Sequence, residues 1–292
     1  SGLTERMKME EFAFRQLDLD GVRLLMDWAA NEGWNPGPHD AEVFWETDPD
    51  GFYGFFDGDR LIAGGAIISY DRAFGFMGLF IVHPDYRDRG IGRRLWHLRR
   101  NLLQQRLHPG ATIGMDGVVA MQNFYSQGGF ELAYREERYA CMGQGFLLHP
   151  CVSPIHSADH VDVLRYDLAC FGFSRPRFLL PWLKIPGNIS FRYVDQGQTL
   201  GYTVIRKAME GYKAGLLFAD NREVAEALFR AGLDAVGGEV LYLDVPVVNQ
   251  DALDMVHKYK ARYVFECGRM YKGSAPQLSL EKIYGVTTFE LG

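Results

Sequence analysis

Apolar and polar side chains alternate along Phe12-Ala13-Phe14-Arg15-Gln16-Leu17, a period of two that predicts a strand with one buried face. Residues 22–30 change to helical spacing, and the Gly- and Pro-rich stretch 31–38 ends that helix in a loop. Strands are predicted over 51–56 and 61–70, joined by Asp57-Gly58-Asp59, a sequence suited to a tight hairpin turn. An apolar strand, Met77-Gly78-Leu79-Phe80-Ile81-Val82, stops at His83-Pro84. Beyond it Ile91, Leu95, Leu98 and Leu102 form one face of an amphipathic helix. A strand at 112–116, a short helix at 121–126 and a strand at 130–141 follow.

From about residue 153 the order repeats. Helices are predicted at 161–169 and 176–183, then strands at 189–194, 200–207 and 214–218. A helix at 222–231, a strand at 240–245, a helix at 250–259 and a strand at 263–271 complete the copy. Gly, Pro and Cys interrupt the pattern at 143–153, which places a boundary between modules 1–146 and 147–292. The expected class is α/β, with mixed sheets flanked by helices.

Composition fits two modules, because 292 residues that are 47% hydrophobic and 23% charged fill about two ordinary cores. A net charge of -6 argues against nucleic acid or an anionic membrane as the main partner, so any anion site is local. Cys141, Cys151, Cys170 and Cys267 stand far apart, without the spacing of a zinc or redox site, so no metal is expected. No apolar run approaches the roughly 18 residues of a membrane span, and no basic-then-apolar leader opens the chain. A cytoplasmic setting is expected.

The chemistry concentrates at Arg87-Asp88-Arg89-Gly90-Ile91-Gly92. Gly90 and Gly92 permit a tight turn whose amides converge on one anion, and the following helix adds free N–H groups and its dipole. Arg87, Arg89, Arg93, Arg94, Arg99 and Arg100 place positive charge nearby in an acidic chain. The plainer reading is a soluble helix start with a solvated basic face. A dinucleotide loop is the nearest rival, but Leu95 occupies its third glycine position.

Arg87-x-x-Gly90-x-Gly92 between an apolar strand and a helix resembles motif A of the GNAT superfamily of N-acetyltransferases. The resemblance implies that the loop amides hold the pyrophosphate of acetyl-CoA and that the backbone of Phe80, Ile81 and Val82 pairs with its pantetheine arm. Tyr125-Ser126-Gln127-Gly128-Gly129-Phe130 resembles the end of the family's motif B, whose Tyr commonly protonates the departing thiolate. Tyr125 carried over so is a general acid; packing beneath the cofactor is its plainer role. Two departures stand out. Val118 occupies the position of the motif B Asn, and the strand 77–82 lacks the Glu that often acts as base.

Asp116 is the candidate base at a strand end, where an Asp is more often a helix cap. His83, beside Pro84, is a weaker candidate. Trp34 and Asn35 lie where the family places its acceptor wall; Trp34 and Trp45 supply aromatic surface, or Trp34 merely plugs a small core.

In the second module Gly215-Leu216-Leu217-Phe218 parallels Gly78-Leu79-Phe80, yet 219–223 enters a helix without the two glycines. Val256 stands where the Tyr belongs, so the copy is expected to be degenerate and to shape the acceptor pocket. The whole resembles YitH-like tandem acetyltransferases, including the closing stretch 284–291. It implies two tandem GNAT-like domains, each a twisted, mostly antiparallel sheet flanked by helices. The implied activity is direct acetyl transfer to a primary amine on a small molecule. An acyl-CoA sensor without turnover is the alternative, and transfer of a longer acyl chain a third reading.

Overall fold

The computed structural model describes residues 12–292. The first half runs β1 (Ala13–Gln16), α1 (Leu19–Asn31), α2 (Asp40–Thr47), β2 (Phe52–Asp57), β3 (Arg60–Tyr70), β4 (Phe74–Val82), α3 (Ile91–Arg106), β5 (Thr112–Val118), α4 (Gln122–Gln127) and β6 (Glu131–Met142). The second repeats it: β7 (Val152–Pro154), α5 (His160–Phe171), α6 (Pro176–Leu183), β8 (Ile189–Asp195), β9 (Gln198–Lys207), β10 (Tyr212–Ala219), α7 (Arg222–Ala235), β11 (Val240–Pro246), α8 (Gln250–Lys258) and β12 (Arg262–Lys272). A short strand, β13 (Ile283–Gly285), is appended.

Helix α2 is absent from the sequence reading. Its buried face carries Asp40 beside Ala41, Val43 and Phe44, and a charge on the inner face blurs the apolar period. Asp40 is tolerated there because Arg206 of the second half binds it through two hydrogen bonds, at 2.8 and 3.0 Å.

One sheet runs through both halves in the order β1-β2-β3-β4-β5-β12-β6-β11-β10-β9-β8-β7. The two last strands are exchanged at its centre: β12 pairs antiparallel with β5 and β6, and β6 pairs in turn with β11. The sheet therefore does not divide at 143–153, although the chain crosses over there. The largest apolar cluster likewise draws Leu25, Phe44 and Phe76 from the first half and Trp182, Tyr202 and Phe218 from the second. Buried ion pairs cross between the halves, among them Asp40–Arg206, Asp116–Arg269 and Arg138–Asp244. Each satisfies its partner, and losing one member leaves a buried charge at a cost of about 3–5 kcal/mol.

Each half contains one place where parallel strands part. In the first, β4 and β5 pair only from Phe74–Thr112 to Met77–Met115, after which both continue separately. In the second, β10 and β11 pair from Tyr212–Leu241 to Ala214–Leu243. That wedge is filled by the chain itself, since β13 pairs with Leu217 and Phe218 of β10. The first wedge holds the cavity described next. Among the described residues no helix is long and apolar enough to cross a membrane.

Candidate active site

The cavity, about 680 Å³, opens where β4 leaves β5 and is lined by β4, the 86–93 loop, α3, α4 and the C-terminal segment. Its volume suits a small-molecule site, typically ~300–1,000 Å³. A bulge in β4 shapes it: Leu79 adopts φ 50°, and the register with β3 slips between Gly64–Ile81 and Ala66–Gly78. The Gly78–Val82 backbone consequently faces the wedge without a strand partner on the β5 side.

Arg99 holds this bulge from below. Its Nη2 donates to the carbonyls of Ala66 (2.7 Å) and Gly78 (2.8 Å), in space that a Cβ on Gly65 would close. The sequence reading placed Arg99 in the cluster around the loop; the structure buries it completely, with Nε and Nη1 unpartnered. Burial pushes its guanidinium down to about 10, against the opposing influence of Tyr125.

At the mouth, Asp88 (φ 62°) and Gly90 (φ 76°) turn the chain through the left-handed region into α3. The first bond of the helix is Arg94 N–H to the Gly90 carbonyl at 3.3 Å, and the amides of residues 88–93 donate to no acceptor among the described residues. A Cβ on Gly92 would press on Val82 Cγ2 at 3.1 Å and Phe80 Cζ at 3.2 Å, so glycine lets the helix start lie against β4. This cradle of free amides fits a diphosphate. Arg87 and Arg89 brace the loop: Arg87 donates from Nε to the Val82 carbonyl (2.9 Å) and pairs with Glu32, and Arg89 donates to the Asp85 carbonyl (3.0 Å).

Tyr125, on α4, lies on the opposite wall, stacked on Trp96 at 5.8 Å and fitted against Gly117. Its hydroxyl makes no hydrogen bond to protein among the described residues. Burial pushes the phenol up to about 12, with Arg99 pulling the other way.

Asp116 reaches the cavity but is not free. Both its oxygens accept from Arg269, at 2.5 and 3.0 Å, and its side chain is fully enclosed. The bidentate pair costs it the role of a ready base. Trp34 lines the cavity, whereas Trp45 and Asn35 do not. Asn35 exchanges hydrogen bonds of 2.8 Å with the backbone of Glu210, fastening the 34–37 loop to the β9–β10 turn. His83 accepts from the Asp85 amide at 3.2 Å and lies outside the cavity lining.

Comparisons with known proteins agree with this geometry. A family model described as "Acetyltransferase (GNAT) family" matches residues 19–130, and one described as "Acetyltransferase (GNAT) domain" matches residues 163–285. The chain belongs to the GNAT superfamily, as a tandem member. A holothin acyltransferase from Pseudoalteromonas sp. is 27% identical over 276 residues, 94% of this chain and 92% of that protein. The solved structure of a putative acetyltransferase from Pyrococcus horikoshii superposes with a TM-score of 0.82 at 24% identity, covering 97% of this chain and 96% of the other. A tandem GNAT protein from the clavulanic acid biosynthesis pathway gives 0.65 at 13% identity, over 91% and 100% of the two chains. This GNAT protein is an acyltransferase by family.

The two copies in this tandem GNAT protein differ at the very places that build the cavity. Helix α7 is capped by Asn221, whose Oδ1 accepts from the Val224 amide at 3.1 Å, whereas α3 has no side-chain cap. The wedge beside β10 is filled by β13. Several lining residues went unnoticed in the sequence: Arg138, Phe265, Cys267, Phe289 and Glu290. Four of them belong to the second half, and no local motif joins them to the loop. Cys267 is no nucleophile here, because burial, and then Asp116 and Glu136, push its thiol far above the ordinary range.

Proposed function

We propose that this chain transfers an acetyl group from acetyl-CoA to a primary amine by direct attack, without an acyl-enzyme. The observation that carries the reading is one cavity holding free amides at residues 88–93, an unpaired β4 backbone and Tyr125. The amides of Asp88 through Gly92 receive the pyrophosphate, and the Phe80–Val82 backbone pairs with the pantetheine arm. A β4 N–H polarises the thioester carbonyl. The amine nitrogen forms the new C–N bond, the C–S bond breaks, and Tyr125 hydrogen-bonds and protonates the sulfur.

A phenol near 12 is a weaker acid than an exposed tyrosine. The departing sulfur is desolvated in the same cavity, which raises its basicity too and keeps the pair usefully matched. The first module thus holds the cofactor and the acid, and the second shapes the acceptor side. The chain's four free cysteines suit a reducing, cytoplasmic setting. The relative named a holothin acyltransferase supports acyl transfer as the reaction type here.

The test is release of CoA from acetyl-CoA with a panel of small primary amines, repeated with longer acyl groups. Turnover is expected with acetyl-CoA and at least one amine. Tight acetyl-CoA binding without turnover on any amine would instead favour an acyl-CoA sensor, and faster turnover of longer chains would correct the acyl group.

A further inference from the structure

The base is missing from the positions where the sequence offered one, and the structure supplies a carboxylate from elsewhere. Residues 283–291 run from the filled wedge of the second half to the open wedge of the first. A Cβ on Gly215 would strike the Thr287 carbonyl, and one on Gly78 would strike the Glu290 carbonyl. The two equivalent glycines are thus the channel along which this segment passes. It sets Glu290 beside Gly78, at the point where β4 and β5 have just parted.

Four carboxylates line the cavity: Glu32, Asp88, Asp116 and Glu290. Glu32 is taken by Arg87, Asp116 by Arg269, and Asp88 is exposed in the loop. Glu290 is 6% exposed, yet it makes no ion pair or hydrogen bond through its side chain among the described residues. Its oxygens are not sealed either, since they are absent from the enclosed, unpartnered atoms. A carboxylate so buried and unpaired needs a cation from the cavity.

The neighbouring charges do not serve. Arg138 and Lys213 both feel Glu290, but Arg138 is committed to Asp244 at 2.6 and 2.9 Å. Lys213, whose ammonium is disfavoured by burial, forms no ion pair or hydrogen bond with Glu290 among the described residues. Around Glu290 the walls are aromatic: Phe265 and Phe289 meet edge to face at 5.8 Å, and Trp34 is fixed opposite by Arg138 Nη1 on its carbonyl (3.3 Å).

We propose that Glu290 binds the ammonium of the acceptor, a primary amine carried on a compact apolar body, and takes a proton from it before the nitrogen attacks. The inference rests on the amine acetyl-transfer reading above. Glu290 removes one proton from the ammonium and passes it to solvent, which frees the lone pair that forms the C–N bond. The nitrogen sheds a second proton as the C–S bond breaks; it replaces the one that Tyr125 gives to sulfur.

The test uses the full chain with Glu290→Gln and Glu290→Asp, acetyl-CoA, and 2-phenylethylamine as probe, against spermidine as a polar, polycationic control. Glu290→Gln is expected to keep its acetyl-CoA affinity and thermal transition while kcat/KM for 2-phenylethylamine falls roughly 10²–10⁴-fold. Its residual rate should rise with pH in proportion to free amine, more steeply than in the unaltered chain, and Glu290→Asp should recover part of the loss. Calorimetric affinity for 2-phenylethylamine should fall roughly ten- to a hundred-fold in Glu290→Gln. Unchanged amine affinity and turnover in that variant would overturn the proposal, as would a preference for spermidine. If the unaltered chain acetylates no amine, the acetyl-transfer reading fails; the binding arm then decides the ammonium site by itself.

Discussion

A chain ending at residue 150 is expected to show no cooperative thermal unfolding and no fixed aromatic environment by near-ultraviolet circular dichroism. Such a chain keeps β1 to β6 but loses β12, which lies between β5 and β6 and pairs with both. The gap leaves two central strands with unpaired edges. Asp40, Asp116 and Arg138 also lose Arg206, Arg269 and Asp244. The apolar cluster that draws side chains from both halves is opened to water as well, a loss that is large against a typical domain stability of about 5–15 kcal/mol. A sharp transition comparable with that of the full chain would contradict the strand exchange. The part proposed for the second half in acceptor binding is accordingly to be tested by point substitutions and not by deletion.

Tyr125→Phe is expected to lower turnover roughly 10²–10⁴-fold while leaving acyl-CoA affinity nearly intact. The substitution keeps the ring that stacks on Trp96 and touches Gly117, and removes only a hydroxyl with no partner among the described residues. The pH profile gives a second reading. The working form of Tyr125 is the protonated one, and its phenol is raised to about 12, so turnover should not fall through its ionisation until the pH approaches that value. Equal losses of turnover and of affinity would assign Tyr125 to packing alone.

The periodicity of the chain revealed most of the strands and helices and the duplication, because each copy keeps the period-two and helical patterns intact. Helix α6 was legible to the residue, at Pro176–Leu183. The loop could be read because its chemistry is local: two glycines, a strand before and a helix after. Pairing across the centre could not be read, since β6 and β12 carry similar patterns and nothing local states which neighbour each takes. Asp116 illustrates the limit, because its partner Arg269 lies 153 positions away and converts an apparent base into half of an ion pair. Glu290 is the converse: a plain acidic residue near the chain end becomes a cavity carboxylate only through the path of residues 283–291. Asn35 pins the 34–37 loop from outside the cavity, whereas its neighbour Trp34 lines the cavity.

A single acyl-CoA site, in the first half and built on backbone amides, is proposed for this chain. Calorimetric titration of the full chain with acetyl-CoA tests it most directly, alongside Gly90→Asp and Asn221→Ala. One molecule bound per chain is expected, with binding abolished by Gly90→Asp, which strains the left-handed turn and adds negative charge at the cradle. Asn221→Ala, at the capped helix of the second half, should leave the stoichiometry unchanged. Two molecules per chain, or binding that survives Gly90→Asp, would rule out a single amide cradle in the first half.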